Sequence, residues 1–231
     1  KLNKKSYPFR NLPKKTGSSK DLLYLGCNFP AFYPETSKAL IDLFENHGFT
    51  FSIDCCKNPV ASTGFKEEPS KALEDQIKNL GIDRIVTACP NCYHHMAKKY
   101  DAEVISIFKW LEEYDYIKDI DTICDVFFPC SDRYNHEIFE VIKRHAPNWN
   151  DKFTSINCCG AGGLASKKEN EIANGMTASI KNQEIYTYCA TCSMRFSKYN
   201  KVHHFASVFL GIDEEVKTNY FKNALKAKFY N

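Results

Sequence analysis

Residues 85–92 read IVTACPNC and residues 185–192 read IYTYCATC, so one pattern of apolar residues, a threonine and a Cys-x-x-Cys pair occurs twice. The cysteines farther upstream are repeated as well. Each recurs 103 residues later: Cys27, Cys55 and Cys56 return as Cys130, Cys158 and Cys159. Repetition at a fixed spacing is typical of a duplicated structural unit. We therefore predict a tandem duplication, with small compensating insertions that separate the two copies.

Short apolar segments precede the cysteine clusters and predict β-strands. In the first copy the predicted strands are Leu22–Leu25, Phe49–Ile53 and Arg84–Ala88. In the second copy they are Ile123–Phe128, Ser155–Ile156 and Glu184–Tyr188. Helices are predicted between them, closing at Gly48 and Gly81 in the first copy and covering about 135–145 and 168–181 in the second. This alternation predicts an α/β fold, a tandem duplication of a Rossmann-like parallel-sheet unit.

The carboxyl ends of parallel strands lie along one edge of a sheet, where ligands usually bind. Because the clusters follow strands, the five repeated cysteines of each copy are predicted to meet in one crevice. The predicted organisation is a basic tail or linker at 1–19, a first cysteine-rich domain at 20–118, a second at 119–211 and a C-terminal amphipathic helix within 212–231.

The composition is that of a folded globular protein, with 43% hydrophobic and 26% charged residues in a chain of 231. A net charge of +3 is too small to indicate nucleic-acid binding, and the acid-free basic stretch at 1–20 is interpreted as a solvated tail. No apolar run approaches the roughly 20 residues that span a bilayer. Eleven cysteines without a secretory signal indicate metal or redox chemistry in a reducing compartment, so we expect a cytoplasmic protein.

The cysteine pattern favours an iron–sulfur cluster, since soft thiolates that converge in a dry pocket are what such a cluster requires. Neighbouring residues on an extended chain point to opposite sides, so the adjacent Cys55 and Cys56 rarely ligate one tetrahedral ion together. An extended polynuclear cluster accommodates them more easily. Three other interpretations stay open: structural zinc held by four cysteines, redox use of the Cys-x-x-Cys pairs alone, and reduced core cysteines without metal.

Six segments carry a resemblance to a known family: LYLGCNFPAFYPE, CCKNP, TACPNCYHHM, FFPCSDR, CCGAGG and TYCATCSMRF. Over about residues 20–210 the chain resembles the cysteine-rich CCG-domain family, in which a CCG motif is followed some thirty residues later by Cys-x-x-Cys, usually twice. Members include the disulfide-cleaving subunit of heterodisulfide reductase and the iron–sulfur subunits of lactate, glycolate and anaerobic glycerol-3-phosphate oxidation.

The resemblance implies that each copy holds a noncubane 4Fe-4S cluster, and that the pair of clusters splits a substrate disulfide. The implied ligands of the first cluster are Cys27, Cys55, Cys56, Cys89 and Cys92. Those of the second are Cys130, Cys158, Cys159, Cys189 and Cys192. Gly160, Gly162 and Gly163 would let the backbone pass close to the second cluster's inorganic sulfur. The first copy has Lys57 where the family has glycine, which leaves zinc or another cluster type open there.

The function predicted from this resemblance is an iron–sulfur oxidoreductase, or a subunit of one, that exchanges electrons with a thiol or disulfide small molecule, as heterodisulfide reductase does. Relatives that act alone carry a ferredoxin-like segment before the first copy, and this sequence shows none. Electrons are therefore expected from a ferredoxin-like or flavoprotein subunit, or from a missing part of a longer protein. Such a partner allows peripheral membrane association. The alternatives are an electron relay for a flavin dehydrogenase and a zinc-stabilised binding module.

Other residue types near the motifs are also considered. The four histidines that follow the Cys-x-x-Cys pairs are His94, His95, His203 and His204. One of them is a conceivable proton donor to a substrate thiolate, but surface or helix-capping roles are favoured. Cys124 has no partner in the repeat and lies in an apolar strand, so we predict a small buried hydrophobic residue there.

Overall fold

The structure, a computed structural model, describes residues 19–58, 68–162, 168–227 and 229. The first copy is built on a four-stranded parallel sheet with the order β2-β1-β3-β4. Its strands are β1 (Asp21–Tyr24), β2 (Thr50–Ser52), β3 (Arg84–Thr87) and β4 (Glu103–Ser106). The central strand β1 pairs with β2 on one side and β3 on the other, so Leu22 lies opposite both Thr50 and Ile85. The parallel sheet predicted from the alternation of elements is confirmed.

Helices follow each strand of this sheet. They are α1 (Phe29–Phe32), α2 (Pro34–Asn46), α3 (Glu68–Asn79), α4 (Pro90–Met96) and α5 (Ile107–Glu113). Helices α2 and α4 begin with a proline, whose missing N–H costs nothing in the first turn. Helix α2 buries Leu40, Ile41 and Phe44 against the core and ends before Gly48, which has a positive φ of 80° as expected for its cap.

The second copy repeats this strand order. Its strands are β5 (Cys124–Asp125), β6 (Trp149–Asn150), β7 (Glu184–Thr187) and β8 (Lys201–His204). The pairs β5-β6 and β7-β8 are parallel, and a bridge between Val126 and Tyr186 joins them. The corresponding pair in the first sheet is Leu23 and Val86, so the bridge preserves the register across the duplication. The duplication predicted from the cysteine spacing is therefore present in the backbone.

The helices of the second copy are α6 (Phe139–His145), α7 (Asn170–Ala178), α8 (Ala190–Phe196) and α9 (Phe205–Phe209), and α10 (Tyr220–Ala227) follows them. Helix α6 begins at Phe139, although the sequence predicted a start near 135. The Asp132 carboxylate accepts hydrogen bonds from the N–H groups of Ile138 and Phe139, and so fixes the later start.

The strand predicted at Ser155–Ile156 is wrong, because Ser155 lies in a turn and the strand is Trp149–Asn150. The cause is an insertion. Asn150 occupies the pairing position of Thr50, but Cys158 follows eight residues after Asn150, whereas Cys55 follows five residues after Thr50. A uniform shift of 103 residues therefore placed the strand too late. The strands β4 and β8, with the helices α5 and α9 that follow them, were not predicted at all.

The core is shared by the two copies. Its largest cluster contains Trp110 from the first copy and Phe128, Tyr188 and Phe209 from the second. Each copy also has a smaller apolar cluster of its own, which includes Cys56 and Cys92 in the first and Cys159, Cys189 and Cys192 in the second. Within the described residues, no helix is both long and apolar enough to cross a membrane.

Candidate metal centres

Eight of the ten repeated cysteines lie just beyond the carboxyl ends of strands or in the helices that follow them, as the sequence predicted. Cys158 and Cys159 lie in a loop that begins after β6 and reaches Cys158 eight residues beyond Asn150. We call Cys27, Cys55, Cys56, Cys89 and Cys92 the first centre. The second centre comprises Cys130, Cys158, Cys159, Cys189 and Cys192. None of these cysteines forms a disulfide. The remaining cysteine, Cys124, is fully buried in β5, which confirms the prediction of a core position.

The thiols of the first centre contact one another in a row. Cys27 contacts Cys55, Cys55 contacts Cys56, Cys56 contacts Cys92, and Cys92 contacts Cys89. Hydrogen bonds from the thiols of Cys27 and Cys56 lower the pKa of Cys55 to about 3. The contact with the Cys55 sulfur correspondingly raises the pKa of Cys27 and of Cys56. The hydrogen bond with Cys92 also lowers the pKa of Cys89, so two sulfurs of the row favour a negative charge.

The second centre has the same kind of row, running from Cys158 through Cys159 and Cys192 to Cys189. Here the thiols of Cys158 and Cys192 donate to Cys159 and lower its pKa to about 3. The favoured thiolate is therefore the second cysteine of the adjacent pair, whereas in the first centre it is the first. Each centre thus has a thiol of the adjacent pair whose pKa is strongly lowered by its neighbours.

Backbone geometry next to the adjacent cysteines is the same in the two centres despite a different residue. The N–H of Gly160 donates to the Cys158 sulfur at 3.2 Å, and the N–H of Lys57 donates to the Cys55 sulfur at 3.4 Å. Gly160 has a φ of 73° and Lys57 a φ of 66°, both in the left-handed region. Lys57 therefore preserves the backbone of the glycine that it replaces, at the cost of a strained φ.

Gly160 is required for a second reason. A Cβ atom at this position would lie 2.7 Å from the carbonyl oxygen of Ala173 and 2.9 Å from its Cα, both on α7. Gly162 faces open space, so no such restriction applies there. Gly163 lies outside the described residues. The close approach of α7 thus explains one of the three glycines without reference to a cofactor.

A cation lies beside the adjacent cysteines in each centre. In the first centre it is Lys57, whose charge also favours the Cys55 thiolate. In the second it is Arg195, which donates from Nε to the Cys159 carbonyl at 3.0 Å and from its terminal nitrogen to the Ala173 carbonyl at 2.8 Å. Arg195 was missed by the sequence analysis, although it follows Cys192 by three residues, where the first copy has His95.

A buried carboxylate joins the two copies between the centres. The Asp132 side chain is fully buried and accepts hydrogen bonds from His94 Nε2 at 2.9 Å and from the Tyr188 hydroxyl at 2.7 Å. Burial alone would raise the pKa of Asp132, but the bonds from His94 and Tyr188 outweigh it and lower that pKa. Asp132 follows Cys130 by two residues and His94 follows Cys92 by two, so this contact ties the first centre to the second. The sequence analysis did not single out Asp132.

The other histidines after the Cys-x-x-Cys pairs lie elsewhere. His203 pairs with Glu184 at 2.7 Å on the edge strand β8. His204 is fully buried and its Nδ1 accepts from the N–H of Ala206, so it caps α9. Burial lowers the pKa of His204 to about 3. His95 is a buried residue of α4. Two of these four residues contact the other copy: His94 bonds to Asp132, and the His204 ring lies 5.0 Å from the rings of Phe29 and Tyr33.

The cysteine sulfurs of the two centres are the type of ligand that a polynuclear iron–sulfur cluster requires. Among the described residues, no group of three or more His, Cys, Asp or Glu side chains is arranged to hold a metal ion. The sulfurs instead form extended rows, with an N–H···S bond and a cation beside each row. Soft sulfur ligands, hydrogen bonds to them and burial are the features by which proteins bind and tune iron–sulfur clusters.

Comparison with known proteins gives one family match. The family described as CCG, cysteine-rich domain, matches residues 22–97 and again residues 124–197. No curated protein sequence matches the chain.

Three solved structures are similar in part. Aspartate racemase from Picrophilus torridus is 12% identical, with a TM-score of 0.39 over 89% of this chain and 100% of that one. Glutamate racemase from Campylobacter jejuni subsp. jejuni is 12% identical, with a TM-score of 0.40 over 91% of this chain and 97% of that one. Glutamate racemase from Aquifex pyrophilus is 13% identical, with a TM-score of 0.36 over 91% of this chain and 84% of that one. These scores are too low to carry any statement about activity.

Proposed function

The chain belongs to the cysteine-rich CCG-domain family, and on that premise we propose that it is an iron–sulfur oxidoreductase subunit that exchanges electrons with a thiol or disulfide. The observation that supports this most directly is the pair of five-cysteine centres, each with one thiol of strongly lowered pKa. When bound, iron–sulfur clusters of the 4Fe-4S type supply one-electron transfers. The first and second centres, as defined above, would provide the ligands, with Gly160, Gly162 and Gly163 beside the second.

The chain's own groups prepare each centre for an anionic cofactor. The N–H groups of Lys57 and Gly160 donate to cysteine sulfurs, and such bonds withdraw charge from them. Lys57 and Arg195 add a permanent positive charge at each centre. The apolar cluster of each copy keeps water from one side of its centre. These features favour the ionised, metal-binding form of the cysteines.

The proposed reaction reduces a disulfide to two thiols, which takes up two electrons and two protons. The electrons would come from a reduced ferredoxin-like or flavoprotein subunit and the protons from solvent. The hydrogen bond from His94 to Asp132 joins the two copies close in sequence to both centres, an arrangement that would let the two clusters serve one substrate. The opposite direction oxidises two thiols and passes the electrons to the partner.

The test uses protein that has been reconstituted anaerobically and reduced with dithionite. Addition of a small disulfide should restore the visible absorbance of the oxidised protein, while free thiol appears at two equivalents for every two electrons lost. A protein that is redox-active but inert toward every disulfide offered would contradict the proposed substrate class and favour an electron relay. A colourless zinc protein would contradict both.

A further inference from the structure

The chain after α9 returns from the second copy to the first. We call residues 212–227 the C-terminal strap. The N–H of Lys217 donates to the carbonyl of Phe32 at 2.9 Å, and the side-chain amide of Asn223 donates to the carbonyl of Ala31 at 2.9 Å. Both acceptors belong to α1, which begins two residues after Cys27. The strap therefore packs beside the first centre.

A buried carboxylate anchors the strap. Glu214 is 6% exposed and accepts hydrogen bonds from the N–H groups of Glu35 and Thr36 at 2.8 and 2.7 Å, and from the Thr36 hydroxyl at 2.7 Å. These N–H groups are in the first turn of α2, a 13-residue helix whose N-terminal dipole favours a negative charge. The strap is thus fixed at a point outside the first centre.

Helix α10 of the strap covers Cys27 and Cys55 of the first centre, while Cys89 of the same centre is half-buried. Tyr220, Ala224 and Ala227 line a cavity with Cys27 and Cys55, and the volume of this cavity is only about 10 Å³. That is the space of about one water molecule. No small-molecule substrate fits between the strap and these two sulfurs.

Among the described residues, none covers the corresponding cysteine of the second centre in this way. Cys130, the counterpart of Cys27, is exposed, whereas Cys27 is half-buried. The reason lies in the order of the chain. In the first copy, the residues after α5 lead through 114–123 directly to β5, and no helix forms in that described segment. The segment that follows the second copy thus covers part of the first centre. The equivalent segment after the first copy, 114–123, is a helix-free connection to β5.

We propose that the C-terminal strap closes the first centre to solutes and leaves the second centre as the one that a small exogenous thiol or disulfide reaches. This assignment of different roles to the two centres rests on the proposed function. It makes the first centre the internal electron carrier and the second centre the substrate-facing one.

The test measures how fast each centre becomes reactive in the metal-loaded full chain. The protein is incubated anaerobically with 1,10-phenanthroline, which binds both ferrous iron and zinc, and is quenched with N-ethylmaleimide at a series of times. Peptide mass spectrometry then reports labelling at each cysteine. We expect labelling of the second centre to precede that of the first by about ten-fold in rate, since local opening of the strap limits access. Equal rates, or the reverse order, would overturn the proposal.

Two substitutions on α10 form a matched pair. Tyr220→Ala removes a side chain that lines the cavity, and should bring the labelling rate of the first centre to within about two-fold of the second. Phe221→Ala changes the next residue, which is 76% exposed, and should leave both rates unchanged. A Tyr220→Ala chain with wild-type rates, or a Phe221→Ala chain that loses protection equally, would contradict a specific closure by Tyr220.

Glu214→Gln covers the case in which Tyr220→Ala unfolds the chain and accelerates both centres together. This change loosens the anchor of the strap without altering the cavity, so it should accelerate the first centre alone. No change in that rate would overturn the proposal. Iron, sulfide and zinc are assayed in the same samples. Zinc without sulfide would contradict the proposed function, while the order of labelling would still decide the role of the strap.

Discussion

The two copies share a backbone and differ in what surrounds their sulfurs. Both have the strand order of the duplicated unit and an N–H···S bond from a residue with positive φ. They differ in the residue that supplies the cation, Lys57 in one and Arg195 in the other. They also differ in the C-terminal strap, which covers Cys27 and Cys55 of the first centre. The comparison shows that the two copies share the positions of their cysteines. They differ in the solvent access to the sulfurs and in the residue that supplies the cation.

The position of the cation illustrates this point. The first copy carries its cation on the residue after the adjacent cysteines, where the second copy has Gly160. The second copy carries its cation on α8, where the first copy has His95. Each centre therefore has a permanent positive charge beside the cysteine pair, although the residues that supply it are not equivalent in the repeat.

Loss of a single cysteine ligand should give the largest effect, which we expect on the metal content. Cys159→Ser removes the sulfur with the lowest pKa from the second centre, so we expect that centre to lose its metal while the first retains its own. EPR spectra and iron content of the reconstituted protein measure this. Cys124→Ser is the control, because Cys124 lies in β5 outside both centres, and it should leave the iron content unchanged. Loss of metal from both centres in Cys159→Ser would show that they do not load independently.

The equivalent backbone positions should respond in opposite ways. Gly160→Ala combines a strained φ with a clash against Ala173, and we expect a loss of about 2 to 4 kcal/mol in the free energy of unfolding. Lys57→Gly relieves a strained φ, so it should cost nothing and can gain up to about 1 kcal/mol. Urea denaturation of both variants measures the difference. Equal destabilisation by the two changes would contradict the assignment of a shared backbone geometry.

A substitution at the junction between the copies should have the next largest effect on the free energy of unfolding. Asp132→Asn replaces a buried acceptor of four hydrogen-bonding groups with an amide, and we expect a loss of about 2 kcal/mol in the free energy of unfolding. Asp119→Asn is a suitable control, because Asp119 is an exposed partner of His145 and should cost less than about 1 kcal/mol. A neutral Asp132→Asn would show that the Asp132 hydrogen bonds contribute little to the stability of the junction.

The helix caps that follow β4 and β8 should differ in their response to acid. His204 caps α9 as a buried neutral imidazole with a pKa of about 3, whereas Ser106 caps α5 in the first copy. The unfolded chain binds a proton at His204 below about pH 6.5, while the folded chain does not, so stability is present above that pH and is lost as the pH falls. His204→Ser should reduce the slope of stability between pH 7 and 5.5 by up to about 1 kcal/mol per pH unit. An unchanged slope in thermal or urea unfolding would contradict this role.

Much of the arrangement was predictable because each cysteine cluster follows a strand. Apolar runs such as Arg84–Ala88 identify strands locally, and the parallel topology then brings sequence-distant sulfurs together. Strand β6 was misplaced because a two-residue strand carries almost no periodic signal, and the insertion before Cys158 broke the repeat. Asp132, Arg195 and Glu214 were missed for a different reason. Each of the three has hydrogen-bond partners tens of residues or more away in sequence, which only three-dimensional packing brings together.

The most direct measurement of the central claim is the content of iron, acid-labile sulfide and zinc per chain after anaerobic reconstitution. Two centres that each hold a 4Fe-4S cluster predict about eight iron and eight sulfide per chain, with visible absorbance and little zinc. Cys159→Ser should halve both numbers. Zinc without sulfide in both centres would contradict the account.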